Sequence, residues 1–193
     1  MKRTSASRGE QETAILKAAA EEVALVGIGR TSMDVIARQA GVSRSTLYRR
    51  FPSRDVLIAE LGRQTLEFAM DRLQTVSIDD GPQEASVAAF REGVRLLATD
   101  PVMRRFLQLD GDFTATEDMF DDARLFLGTA SKAMAKALRA AGAEMPAADL
   151  LAVCELHIRM ATSLVQVRTG VLDVDDDAAV ARYARTHLAP LVR

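Results

Sequence analysis

Residues 31–51 read TSMDVIARQAGVSRSTLYRRF, and this stretch decides how the rest of the chain is understood. Thr31-x-x-Asp34 has the form of a capping box and predicts a short helix through Ala40, with Ile36 and Ala37 pointing inward. Gly41 supplies the left-handed turn residue that ends it, and Ser43 can cap a second short helix running to about Phe51. Ile36, Ala37, Ala40, Val42, Leu47 and Phe51 have the spacing to pack the pair against a preceding helix. Arg44, Ser45, Thr46, Tyr48, Arg49 and Arg50 are left for other contacts. Two short helices joined by a glycine turn predict a helix-turn-helix whose second helix is the recognition element.

Charge singles out the same region. The whole chain carries a net charge of −2. Residues 1–60 hold ten Lys and Arg against seven Asp and Glu, whereas residues 61–193 hold fifteen against twenty. Between Val35 and Arg54 stand five arginines (Arg38, Arg44, Arg49, Arg50, Arg54) and no acid, so a basic module precedes an acidic body. Arg44 follows the Ser43 cap and Arg54 follows a Ser53 cap, where the helix dipole favours acids. That placement is expected if both helix starts face an external polyanion such as DNA.

Outward from this module the chain reads as all-α, with about nine helices and no strand. The first helix spans about Glu10 to Val26, its apolar stripe (Ile15, Ala18, Ala19, Val23, Val26) leaving Lys17, Glu21 and Glu22 outside, and the start to about residue 9 is expected to be disordered. A long helix follows from Arg54 to about Thr75, then a loop over residues 77–82. Further helices are expected at about Gln83–Ala98, Pro101–Leu109, Glu117–Ala141, Ala147–Gly170 and Asp175–Leu188. Two domains are expected: 1–55, the helix-turn-helix, and 56–193, a larger helical body.

With 48% hydrophobic and 27% charged residues over 193 positions, disorder and collagen-like chains are excluded. One cysteine, Cys154, excludes an internal disulfide and points to a reducing cytoplasm, and the sequence offers no spanning segment or signal peptide. No metal, cofactor or membrane partner is expected. Asp173, Asp175 and Asp177 imitate the start of a calcium loop, but Ala178 and Ala184 stand where its glycine and bidentate glutamate belong. No nucleophile elbow, phosphate loop or His-rich spacing frames the polar side chains, so the chain is not expected to be an enzyme.

Over residues of about 10–60 the sequence resembles the N-terminal domain of TetR-type transcriptional repressors. The positions carrying the likeness are Ile36-Ala37, Ala40-Gly41-Val42-Ser43, Thr46-Leu47-Tyr48 and Phe51, with a basic residue, Arg54, after Pro-Ser. The resemblance implies a homodimer on double-stranded operator DNA whose C-terminal body binds a small effector. Carried over by position, Arg44, Ser45 and Arg49 face base edges. Thr46, Tyr48, Arg50 and Arg54 bind phosphates, with Ser32 or Met33 near the backbone.

In the body, flexible and aromatic side chains suit a largely apolar effector cavity: Phe68, Phe90, Met103, Phe106, Leu107, Phe120 and Phe126. Asp110, His157 and Gln166, with Gln108 and Arg159, are the polar groups able to orient a ligand. A dimer seam is expected from Leu150, Cys154, Ala161 and Leu164 on one helix with Val180, Tyr183, Ala184, His187 and Leu188 on the next. The function expected is a ligand-responsive repressor released from a pseudo-palindromic operator by a small, largely apolar effector. The alternatives are a DNA-binding regulator governed by a protein partner, or a helical ligand-binding or scaffold protein that does not bind DNA.

Overall fold

A computed structural model describes residues 7–76, 78–107, 117–168, 170 and 172–193, the side chains of 117–123 and 125 excepted. Among the described residues there are nine α-helices, two single 3-10 turns and no strand. The helices are α1 (Arg8–Val26), α2 (Met33–Gln39), α3 (Arg44–Arg50), α4 (Arg54–Gln74), α5 (Gly81–Thr99), α6 (Pro101–Phe106), α7 (Glu117–Ala140), α8 (Ala147–Gln166) and α9 (Asp177–His187). They fall into two compact units, Met1–Thr65, here the head, and Leu66–Arg193, the body. The division lies inside α4, beyond the 55/56 boundary expected from sequence, because Leu57, Ile58 and Leu61 are all buried.

In the head, α1 begins at Arg8 rather than Glu10, which corrects the expected disorder of residues 7–9. The cause is a capping box: the Ser7 N–H donates to the Glu10 carboxylate at 2.6 Å while the Glu10 N–H donates to Ser7 Oγ at 3.3 Å. The Ser7 backbone N–H, and after it the Ser7 hydroxyl, hold the Glu10 carboxyl below its ordinary pKa. Ile15, Ala19, Val23, Ile36 and Leu47 are excluded from solvent, and α2 packs on both α1 and α3. Glu22, read from sequence as lying off the apolar stripe of α1, is buried.

The capping box expected at Thr31 is not formed. Thr31 is buried and its hydroxyl donates back to the Gly27 carbonyl at 2.9 Å. Ser32 takes the N-cap position of α2 without a side-chain cap bond. The turn after α2 forms as expected: Gly41 sits at φ 67°, and the Val42 N–H reaches the Ala37 carbonyl at 3.0 Å, the long bond of a Schellman motif.

The body is built around α5, which packs against α6, α7, α8 and α9. Its Phe90, Val94 and Leu97 enter one apolar cluster with Met103, Ala161, Val165, Val180, Ala184 and Leu188. Ala85 and Ala89 enter another with Met134, Leu138, Leu150, Cys154 and Val192. Asp100 caps α6 by accepting from the N–H groups of Val102 and Met103 at 2.9 and 3.0 Å. The last residues are fixed to the α7–α8 turn, where the Arg193 carbonyl accepts from the N–H groups of Glu144 and Met145 at 2.8 and 2.9 Å.

Two expectations for the body are corrected. α8 stops at Gln166 rather than Gly170, where β-branched Val167 takes an extended backbone with φ −116°. α9 starts at Asp177 because Asp176 caps it, accepting from the Ala178 and Ala179 N–H groups. The three carboxylates resembling a calcium loop go separate ways: Asp173 accepts from the Asp175 N–H, Asp175 pairs with Arg168 at 2.8 Å, and Asp177 pairs with Arg91.

The expected dimer seam is largely the body's own core. Leu150, Cys154, Ala161, Val180, Ala184 and Leu188 are buried within one chain against α5 and α7, so they have no surface to offer a second chain. Leu164 and Tyr183 are partly buried against the same core, and only His187 of the set is exposed. The apolar side chains that reach solvent around α8 are instead Leu156 and Val167.

Candidate functional site

α3 is held by its start and by its buried side. Ser43 Oγ accepts from the Thr46 N–H at 3.1 Å, which satisfies one of the helix's unpaired first-turn donors. Leu47 is fully buried and Phe51 nearly so. At 100° per residue, Arg44, Ser45, Tyr48 and Arg49 then share an arc of about 140° on the opposite side. All four are exposed, whereas Thr46 and Arg50 lie at the margins, half-buried.

The arginines differ in what they touch. Arg44 Nε lies 2.8 Å from an Asp34 carboxylate oxygen, across the glycine turn, with both side chains more than half exposed. Arg54 donates through Nη1 to the Gly29 carbonyl at 3.1 Å and lies 3.5 Å from the Asp55 carboxylate. The adverse helix dipole at both starts is therefore offset inside the head, and it is no independent sign of a polyanion. Arg50, at 13% exposure, donates to Gln11 Oε1 at 3.2 Å and lies 3.9 Å from the Glu12 carboxylate, bracing α3 against α1.

The body holds a partly open apolar space with about 40 Å³ open to the centres of water-sized molecules. Helices α4 to α8 all contribute to its wall, through residues that include Leu73, Phe90, Met103, Phe126, Met134 and His157. His157 is its only polar side chain among the described residues. The imidazole is 1% exposed, its Nδ1 lies 2.7 Å from the Val153 carbonyl oxygen, and its ring meets Phe90 edge-on at 6.3 Å. Burial pushes the His157 pKa down from its ordinary value, against the opposing pull of the Val153 bond. One turn earlier, burial pushes the Cys154 thiol up to about 12.

Residues 15–61, the span from α1 through α3 into α4, match the family model described as bacterial regulatory proteins, tetR family. The head is a TetR-family helix-turn-helix domain. An uncharacterized HTH-type transcriptional regulator of Mycobacterium tuberculosis is 37% identical over 83 residues, a stretch covering 43% of this chain and 42% of that relative, less than half its length. The TetR-family fold extends through the body. A regulator from Aquifex aeolicus VF5 superimposes with a TM-score of 0.67 at 18% identity, over 92% of this chain and 97% of that one. AibR, solved with isovaleryl coenzyme A and operator DNA, superimposes with a TM-score of 0.64 at 18% identity, over 93% of this chain and 98% of AibR.

The nine residues expected at DNA are not all surface groups. Arg44, Ser45, Tyr48 and Arg49 form the exposed arc, Arg54 and Ser32 stand beside the helix starts, and Thr46 is half-buried. Met33 is buried and Arg50 is occupied within the head. Of the effector residues, the cavity brings together Phe90, Met103, Phe126 and His157. Phe68 points to solvent at 51% exposure, Gln166 is exposed, and Phe106 and Leu107 are partly buried away from the wall. Gln108, Asp110 and the Phe120 side chain lie outside the described residues. Sequence reasoning missed Asp34 as the partner of Arg44. Its signal was an acid at the start of α2, one glycine turn from an arginine at the start of α3.

Proposed function

We propose that this chain is a ligand-responsive transcriptional repressor that binds a pseudo-palindromic DNA operator as a homodimer and releases it when a small, largely apolar effector enters the body. The observation that carries the reading is the exposed arc of α3, where Arg44, Ser45, Tyr48 and Arg49 stand opposite the buried Leu47 within a TetR-family domain. Arg44, Ser45 and Arg49 read base edges from the major groove. Thr46, Tyr48, Arg54 and Ser32 hold phosphates and set the register. Met33 and Arg50 support the head instead of touching DNA.

A single head covers one half-site, so selective binding takes two heads spaced by about 34–36 Å. The exposed Leu156 on α8 and Val167 just past its end supply the apolar part of a seam between two chains. Leu156→Arg therefore gives a monomer by light scattering while leaving the helical content unchanged. A dimer that survives this change would place the seam elsewhere. For release, an effector must favour the non-binding state by roughly 5.5 kcal/mol to move occupancy from 99:1 to 1:99.

Fluorescence anisotropy on duplex DNA across salt concentration tests the reading. Affinity falls steeply as salt rises, and Arg54→Ala reduces the logarithmic slope by about one unit on operator and non-operator DNA alike. Salt-independent binding, or none in dilute buffer, would refute it.

A further inference from the structure

The cavity wall carries one polar side chain among the described residues, and the geometry of that side chain specifies what it can accept. His157 Nδ1 lies 2.7 Å from the Val153 carbonyl oxygen. A carbonyl only accepts, and two lone pairs do not approach so closely, so Nδ1 carries the proton. In a neutral ring Nε2 is then a bare acceptor, and this buried atom has no hydrogen-bond partner among the described residues. The ring stays neutral because burial penalises its charged form and, among the described residues, no acidic side chain stands on the wall. Phe90, edge-on to the imidazole at an interplanar angle of 78°, limits the ring's tilt.

We infer that the effector is an uncharged, largely apolar alcohol or phenol whose hydroxyl donates to Nε2 of His157, the rest of the molecule lying against Phe90, Met103 and Met134. The inference rests on reading this cavity as the effector site. An ether or ketone of the same shape would set its lone pairs against that of Nε2. A carboxylate would also bring a charge into a space whose described wall has no cation to pair it. A hydrocarbon fits the wall but leaves the imidazole acceptor unsatisfied, which makes it the weaker ligand by about tenfold. Met103 and Met134, unbranched and pliable, let the small space adapt to a ring.

The test is a titration of the full chain with phenol, toluene and benzoate at neutral pH, followed by calorimetry and by the ¹⁵N resonance of His157 Nε2. Phenol is expected to bind about tenfold more tightly than toluene, and benzoate not at all. With phenol the Nε2 resonance moves in the direction of an accepted hydrogen bond; with toluene it stays. In His157→Leu, phenol and toluene converge to within about twofold, because only the donor's advantage is lost. The wild-type resonance decides the matter if that variant fails to fold. Equal affinities with an unmoved resonance overturn the inference but leave an apolar effector site standing. Tightest binding by benzoate overturns it in favour of a protonated ring. If none of the three binds, the effector reading itself falls, and the inference with it.

Discussion

Replacing Arg44 with alanine separates reading DNA from holding the head together. In the free protein Arg44 pairs with Asp34 at 2.8 Å, but both side chains are more than half exposed, so the pair contributes only about 0–1 kcal/mol. Arg44 also opposes the α3 dipole by a few tenths of a kcal/mol. Its removal therefore changes stability by less than about 1 kcal/mol. A bidentate contact to guanine is worth about 1–3 kcal/mol, so Arg44→Ala weakens operator binding by roughly 5- to 150-fold while leaving a scrambled duplex nearly unaffected. Asp34→Asn works the other way: it frees Arg44 and removes an acid near the phosphates, tightening the operator complex by up to about fivefold, with less gain when Arg44 is already alanine. The assay is anisotropy on both duplexes at one salt concentration, beside thermal melts of each variant. Equal losses on both duplexes would make Arg44 a phosphate ligand. A melting loss equivalent to more than about 2 kcal/mol would make it a structural residue like Arg50.

Three further outcomes follow from the same geometry. Gly41→Ala places a side chain at φ 67° with nothing within 4 Å of its Cβ, so the cost is backbone strain alone, about 1 kcal/mol, read as a lowered melting temperature. Because the folded state holds the His157 pKa below the unfolded value, the unfolded chain binds the proton first. Stability is complete above about pH 7 and declines as pH falls through about 6.5, and chemical denaturation shows a shallower slope there in His157→Leu. Cys154, fully buried with its thiol pushed up to about 12, reacts with a thiol reagent at neutral pH only as fast as the chain opens. Immediate modification of the native protein would contradict its placement.

What the sequence made legible was local. Gly41 and the Ser43 cap announce the turn and the start of α3 through bonds spanning five residues or fewer, and the alternation of Leu47 and Phe51 with arginines fixes the exposed arc. Where two hydroxyl residues were adjacent, pattern could not choose between them. Thr31 turned back to Gly27 and left the cap position to Ser32. The fate of Arg50 was hidden because its partners, Gln11 and Glu12, come from α1, some forty residues earlier in the chain. The packing of the residues expected at a dimer seam was hidden for a related reason. Periodicity along α8 and α9 shows which faces are apolar but not what covers them, and α5 and α7 cover the faces bearing Leu150, Cys154 and Val180. The cavity was half legible. Its Phe and Met supply could be counted, yet Phe68 faces solvent, and only the tertiary packing isolates His157 as the one polar side chain on the wall among the described residues.

The most direct test of the central claim is selection of bound sites from a pool of random duplexes by the full-length chain in dilute buffer without added ligand. The account predicts enrichment of two inverted half-sites about one helical turn apart, with guanines at the positions that Arg44→Ala or Arg49→Ala relaxes. Recovery of an unenriched pool would contradict it, because the exposed arc of α3 would then read nothing.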